Sequence, residues 1–333
     1  VLKIGNLTLT FPYLLAPMAG VSDLPFRLIT RSFGVPLAFA EMIDARAIAR
    51  GERKTWHMLT SAPEDRPLGV QFLGHDESDL VEAVAALEGF GFDLLDLNAA
   101  CPTPKVTRKG KGAALLKDPS RLGGLLKALV SMARVPVTVK IRAGWDPASV
   151  NAREVALRAE DAGISALFIH GRTRSQGYGG KVDYRIIQQV KEALTIPVIA
   201  SGDNLSVPAI KRMFDETGCD GVTLARGSLG YPWLCRELNR FFEGGLPCEK
   251  PTMAERLAII RKHLELIVAH YGEKRGVACF HKFFIWYTRG LRGTKPLRDG
   301  AFRADTRDEL DRLIEALRQA GRESFYGCGA RSR

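Results

Sequence analysis

The chain has 333 residues, 46% of them hydrophobic and 26% charged. That composition suits one large folded domain with a smaller one and excludes disorder over most of the length. The formal net charge of +11 is uneven, with 30 Lys/Arg against 26 Asp/Glu over residues 1–244 and 18 against 11 over residues 245–333, and no apolar run approaches the ~18 residues of a membrane span.

The apolar start from Leu7 to Val21 is interrupted by Pro12 and Pro17 and reads as folded structure, not as a signal peptide. Eight short, nearly continuous apolar runs then recur: Tyr13–Ala16, Leu37–Ala40, Leu68–Phe72, Leu94–Leu97, Val137–Ile141, Ala166–Ile169, Pro197–Ala200 and Gly221–Leu224. Strands buried on both faces have this character. Helical patterns lie between most of them: Asp79–Leu87, a helix opened by Asp118-Pro119, Asn151–Ala162, Tyr184–Ala193 and one opened by Ser206-Val207-Pro208. Gly163 and Gly218 stand where helix C-caps belong. Eight strands alternating with helices predict an α/β fold, a (β/α)₈ TIM barrel. A doubly wound sheet would show G-x-G-x-x-G after its first strand, where this chain has Ala16-Pro17-Met18-Ala19-Gly20.

The pattern changes after Phe242. Gly244-Gly245-Leu246-Pro247 reads as a linker, and capping boxes Thr252-x-x-Glu255 and Thr306-x-x-Glu309 open two helices, with a third predicted over Val277–Leu291. The predicted division is therefore 1–244, the barrel, and 245–333, a small all-helical C-terminal domain with a frayed end. The basic charge of that second part suits a polyanion partner as well as it suits solubility. The six cysteines form no C-x-x-C pair. Neither a disulfide framework nor a metal site is expected, and a reducing cytoplasm is the expected compartment.

Side chains at the C-terminal ends of barrel strands line the active site. Here those ends read Pro17-Met18-Ala19, Glu41-Met42, Gln71, Asn98 and Cys101, Lys140 and Arg142, His170-Gly171-Arg172, Ser201-Gly202-Asp203, and Ala225-Arg226-Gly227. Each has a plain alternative. His170 suits a satisfied core histidine, Cys101 a small buried hydrophobe, and the glycines ordinary turns. Lys140, however, sits inside an apolar strand, where a lysine without a partner is costly unless a ligand meets it. Cys101 is followed by Lys105, Arg108, Lys109 and Lys111, a basic loop expected to be exposed, where a thiol can react. Gly202 and Gly227 follow strands seven and eight, where barrels bind phosphate on backbone N–H groups, with Arg226 able to pair with it. Together these groups suggest FMN, its phosphate at those glycines and its ring edge at Gln71, Lys140 and His170.

These residues resemble the tRNA-dihydrouridine synthases, nearest the bacterial DusB-like branch. The resemblance rests on Leu15–Arg27, on Asn98-Ala99-Ala100-Cys101-Pro102-Thr103-Pro104-Lys105-Val106 continuing to Leu116, on Val139–Arg142, His170–Arg174, Ser201–Asp203 and Arg226–Gly230, and on Lys282–Leu291. It spans roughly residues 4–320. Two positions depart from the family pattern. Ala100 stands where Gly is usual, which touches loop conformation if that position needs a positive φ, and Ser201 stands where Asn more often precedes the Gly. The resemblance implies NADPH-dependent reduction of the C5–C6 double bond of a uridine in tRNA. Reduced FMN would be the hydride donor and Cys101 the general acid; an ordinary thiol, with pKa near ~8.5, is mostly protonated at neutral pH. It implies flavin contacts from Pro17, Met18, Ala19, Gln71, Lys140, His170, Ser201, Gly202, Asp203, Ala225 and Arg226. It implies uracil or RNA contacts from Asn98, Arg142, Arg172 and Lys105, with the division of Asn98, Lys140, His170 and Arg172 between flavin and uracil left open. The tail resembles the family's RNA-binding domain. Lys282 and Arg289, seven apart on the predicted helix, and Arg292 and Lys295 beyond it are expected to meet phosphates, and Arg298 continues the positive charge. Other FMN barrels that reduce small molecules, and a non-catalytic RNA-binding protein on a decayed barrel, are the competing readings. The basic tail weighs against the first, and Cys101, Lys140 and His170 occurring together weigh against the second.

Overall fold

The computed structural model describes residues 1–245 and 249–322. The linker residues Leu246 and Pro247, Cys248, Cys328 and the end expected to fray lie outside the described residues. The chain divides into two compact units, one of Val1–Arg27 with Val35–Gly227 and one that gathers Leu28–Gly34 with the chain from Ser228 on.

The first unit is a closed barrel of eight parallel strands: β1 (Tyr13–Leu15), β2 (Ala38–Phe39), β3 (Leu68–Leu73), β4 (Leu94–Ala99), β5 (Val137–Arg142), β6 (Ala166–His170), β7 (Val198–Ser201) and β8 (Gly221–Leu224). Each pairs with the next, and β8 pairs with β1 through Val222↔Tyr13, Thr223↔Leu14 and Leu224↔Leu15. The (β/α)₈ expectation holds, and every strand lies within two residues of its apolar run. The helices also follow their signals. Asp76 caps Glu77–Ala86 on the Asp79 amide, Asp118 caps Pro119–Met132 on the Arg121 amide, and Ser206 caps Val207–Thr217 on the Ala209 amide. Gly218 closes the last in the left-handed conformation.

The apolar start contributes Leu7–Leu9 to a hairpin with Leu2–Ile4, which precedes β1. Its Leu2, Ile4 and Leu9 pack with Leu14, Leu37, Leu94, Ala166 and Ile199, residues in or beside the early parts of strands. This cluster fills the N-terminal end of the barrel, which leaves the C-terminal end for polar groups. Among the described residues no helix is long and apolar enough to cross a membrane.

The second unit is helical: α1 (Trp233–Phe242), α2 (Met253–Tyr271), α3 (Glu273–Tyr287), α4 (Lys295–Ala301) and α5 (Arg307–Arg322). The Thr252–Glu255 capping box is present. Helices α1 and α4 have no counterpart in the sequence reading. The helix expected over Val277–Leu291 begins and ends four residues earlier. Its end is set by Thr288, whose hydroxyl donates to the carbonyls of Phe284 and Ile285, and by Gly290 at φ +80°. At its start Gly276 lets α3 approach α2, for a Cβ there would lie 2.8 Å from Val268 Cα. Phe280, Phe283, Phe284 and Tyr287 form the buried face as expected.

Candidate active site

Alternation along a strand sends every second residue into the barrel. Register sets these residues in layers: Gln71 beside Asp96 and Asp96 beside Thr138, then Asn98 beside Lys140, then Arg142 and Ser201 beside His170. Between them Val139 and Ile141 face outward and are fully buried.

The C-terminal mouth encloses a cavity of about 300 Å³, at the small end of the range for ligand sites. The β1 and β2 ends supply an apolar wall of Ala16, Pro17, Met18 and Met42, and β3–β8 supply Gln71, Asn98, Cys101, Lys140, Arg142, His170, Ser201, Gly202, Asp203, Ala225 and Arg226. Of the residues expected to meet the flavin, its phosphate, the uracil or the RNA beside it, Ala19, Lys105, Arg172 and Gly227 do not line it. Lys105 is exposed on the loop after β4. Arg172 is buried and spent on neighbours. It reaches Gly180 O at 2.7 Å and Asp203 Oδ2 at 2.5 Å, and its Nη1 faces His170 Nε2 at 3.3 Å. A guanidinium can only donate, so His170 Nε2 accepts and the ring proton sits on Nδ1. Burial and the surrounding cations Arg142, Lys140, Arg172 and Arg226 hold the His170 pKa far below its ordinary range, so the ring is neutral.

Lys140 donates one hydrogen bond, to Ser201 Oγ at 2.8 Å. Burial pushes its pKa down to about 8, against the attraction of Asp96. Arg142, lowered to about 10 chiefly by burial, clamps two loops. It donates to Ala100 O at 2.6 Å, to Thr173 O at 3.0 Å and to Gly177 O at 2.8 Å. Asn98 also holds the Cys101 loop, its Oδ1 accepting from the amides of Ala100 (3.0 Å) and Cys101 (2.7 Å). The half-buried Cys101 thiol lies 3.5 Å from Thr103 Oγ1.

Ala100 does not take a positive φ. Among the described residues the one non-glycine that does is Asp203, at +54° beside Gly202 at +121°. The substitution of Ala for Gly before Cys101 therefore carries no backbone strain. Asp203 uses its turn to bridge Arg172 and Arg226, the latter at 2.5 Å. The loop after Cys101 is less basic at its surface than the sequence suggests. Lys105, Arg108 and Lys109 are exposed, but Lys111 is buried, its Nζ 2.8 and 2.7 Å from the two carboxylate oxygens of Asp44.

Several lining residues were not anticipated: Tyr178, Asn204 and Thr223. Tyr178 is 63% exposed, with the Arg142 and Arg226 guanidinium groups each 5.6 Å from its ring centre. An aromatic in the glycine-rich run Gly177–Gly180 was the signal for it. Asn204 Oδ1 and Thr223 Oγ1 are buried without a partner, and buried polar atoms at a cavity wall suit a ligand that brings hydrogen-bond partners. Beneath the cavity lies Asp96, also unanticipated. Its oxygens accept from Thr138 Oγ1 (2.7 Å) and Gln71 Nε2 (2.6 Å), and burial raises its pKa to about 6.

On the helical unit, Lys282 is half-buried with its ammonium 5.1 Å from the Phe283 ring centre. Arg289 lies beyond the end of α3, so the seven-residue helical spacing to Lys282 does not apply. Arg289, Arg292 and Lys295 are exposed, and Lys295 and Arg298 belong to α4.

Residues 14–322 match the family described as dihydrouridine synthase (Dus). The chain is 38% identical to a protein named probable tRNA-dihydrouridine synthase 1 from Synechocystis over 322 residues, 95% of this chain and 90% of that one. It is 38% identical to a protein named tRNA-dihydrouridine synthase B from Xanthomonas axonopodis pv. citri, over 95% of this chain and 98% of that one. Among solved structures it is similar in fold to histamine dehydrogenase from Rhizobium sp. 4-9 (TM-score 0.55, 15% identity, 80% of this chain and 50% of that one). It is likewise similar to the old yellow enzyme homologue of Zymomonas mobilis (TM-score 0.53, 13% identity, 75% of this chain and 93% of that one).

Proposed function

The chain belongs to the dihydrouridine synthase family, and on that premise we propose that it is an FMN-dependent tRNA-dihydrouridine synthase that reduces the C5–C6 double bond of uridines in tRNA, in the cytoplasm, with NADPH as reductant. The observation that carries the reading is one cavity with a thiol at its rim and two cations in its wall, Cys101 with Lys140 and Arg142.

The residues fit the cofactor. Gly202, Ala225 and Arg226, which line the cavity where Gly227 does not, would hold the phosphate, with Ser201 and Asp203 ordering that turn. Pro17 and Met18 offer an apolar surface to the ring, with Ala19 beside them, and Gln71, Lys140 and His170 offer donors to its edge. Held there and reduced, FMN would supply hydride chemistry toward C6 of the uracil.

The chain's own work is the rest. Cys101 gives its thiol proton to C5, which completes the addition of two hydrogens across the double bond. Asn98 and Arg142 hold the loop that carries it, and Arg142 also faces the uracil. Arg172 acts through Asp203 and His170 instead of touching the base. The uridine must leave its stack to enter a cavity this small. We assign catalysis to the barrel and RNA anchoring to Lys105 and to Lys282, Arg289, Arg292 and Lys295 of the helical part. There, phosphate contacts position the RNA without reading its sequence.

The test is to incubate the purified protein with FMN, NADPH and an unmodified tRNA transcript, and to quantify dihydrouridine by nucleoside mass spectrometry. Yellow protein and product in tRNA are expected. Turnover of free uridine with none in tRNA would favour a small-molecule reductase, and protein that takes up no flavin would favour a binding protein.

A further inference from the structure

The buried carboxyl Asp96 lies one layer below the cavity, outside the groups used above. Its contacts run in one direction. Gln71 Nε2 donates to Asp96 Oδ2 at 2.6 Å, Asn98 Nδ2 donates to Gln71 Oε1 at 2.6 Å, and Asn98 Oδ1 accepts from the amides of Ala100 and Cys101 at 3.0 and 2.7 Å. All three side chains are closed off from solvent, at 1%, 1% and 3% exposure. The barrel register makes the chain possible, because Gln71 and Asp96 are direct partners across β3 and β4, and Asn98 is two residues on, on the same face.

We propose that Asp96 is a positioning residue for Cys101: it sets the direction of the Gln71 and Asn98 amides, and through them the place of the Cys101 backbone. An amide group can present either end. A Gln–Asn pair alone would be satisfied in either sense. The Asp96 oxygen facing Gln71 is an acceptor, so Gln71 must turn its NH₂ toward it. Gln71 Oε1 then faces Asn98, and Asn98 must present its oxygen to the loop. The reversed chain would set the Asn98 NH₂ against two backbone N–H groups, and donors buried against donors are costly. That Cys101 is the reacting thiol rests on the function proposed above; the anchoring of its loop does not.

A second role for Asp96 would be its charge, opposite that of Lys140. The Asp96→Asn variant separates the two. Its oxygen can still accept from Gln71 while its NH₂ donates to Thr138 Oγ1, whose own O–H can turn to Leu95 O at 3.2 Å. Direction is kept and charge is lost. Asp96→Leu loses both.

The experiment follows alkylation of Cys101 by iodoacetamide in the full-length protein as purified, read by peptide mass spectrometry. Asp96→Leu should speed it by about tenfold, the factor that accompanies loss of one such hydrogen bond. Gln71→Met, which breaks the chain one link later, should do the same when compared with wild type at equal flavin content, because Gln71 also lines the cavity, and Asp96→Asn should match wild type. Should Asp96→Leu fail to fold, Gln71→Met against Asp96→Asn decides. Equal rates in all variants, or an Asp96→Asn protein as reactive as Asp96→Leu, would overturn the proposal. A wild type that makes no dihydrouridine would defeat the functional reading and leave this comparison standing.

Discussion

Lys140 gives the sharpest energetic prediction. Its ammonium stands in the barrel interior with one hydrogen bond, to Ser201, and burial lowers its pKa from 10.5 to about 8. At ~1.4 kcal/mol per unit that is about 3 kcal/mol against the charged form. Partial access through the mouth reduces it, so about 1–3 kcal/mol is expected. The Lys140→Met variant keeps the length of the side chain and removes the charge. Flavin-free Lys140→Met should therefore melt several degrees above flavin-free wild type at pH 7. The sign follows from linkage. A lysine whose folded pKa is depressed adds stability above its unfolded pKa and loses it as pH falls through about 8. The advantage of the variant should thus be full at pH 7 and fade toward pH 10.5. Flavin binding should move the other way. A charge-assisted hydrogen bond is worth about 1.5–3 kcal/mol, so the FMN Kd should rise about tenfold to a hundredfold in a fluorescence titration. A flavin-free variant that melts at or below wild type, with unchanged FMN affinity, would refute the argument that this charge is held for a ligand.

Three further outcomes are expected. Asp65→Asn breaks a pair in which both side chains are fully buried, Arg27 reaching Asp65 Oδ2 at 2.7 Å. Removing the countercharge of the buried guanidinium should cost about 3–5 kcal/mol in denaturant unfolding, and a loss below ~1 kcal/mol would show that the other contacts of Arg27 suffice. Asp96, with its pKa raised to about 6, stabilises the fold below the unfolded carboxyl pKa and loses that contribution as pH rises through about 6. Wild type should thus lose stability relative to Asp96→Asn between pH 4 and 7, and parallel pH–melting curves would contradict it. Replacing Lys282 and Arg289 by Glu should weaken tRNA binding for all tRNAs alike and flatten the salt dependence by about two units of slope. FMN content should be untouched, and an unchanged slope would remove these residues from the interface.

What could be read from the sequence was decided by how local each signal is. The barrel strands are nearly continuous apolar runs, and these runs marked the ends to within two residues. Strand ends then named most of the cavity wall, because the fold itself sends those positions to one mouth. The helix α3 was misplaced because periodicity identifies a buried face but not an end; the end came from Thr288 and Gly290. Lys111 was counted with an exposed loop because a charge in sequence does not reveal its partner, and Asp44 lies far from it along the chain. Asp96 was missed for a related reason. Its partners Gln71 and Thr138 sit on two other strands, and only the register of β3, β4 and β5 brings them together. Arg172 matched a motif, yet its guanidinium is taken up by Asp203 and Gly180, a contact no spacing rule announces.

In the proposed reaction Cys101 protonates C5 of a tRNA uridine in the cavity it borders. The most direct measurement is a single turnover with FMN-loaded, pre-reduced protein and an unmodified tRNA transcript, comparing wild type with Cys101→Ala. A positioned acid is worth about 10²–10⁴ in rate. The variant should bind tRNA and accept electrons from NADPH as wild type does, and form dihydrouridine slower by that factor. Formation at a rate comparable to wild type would contradict the account and require another proton donor.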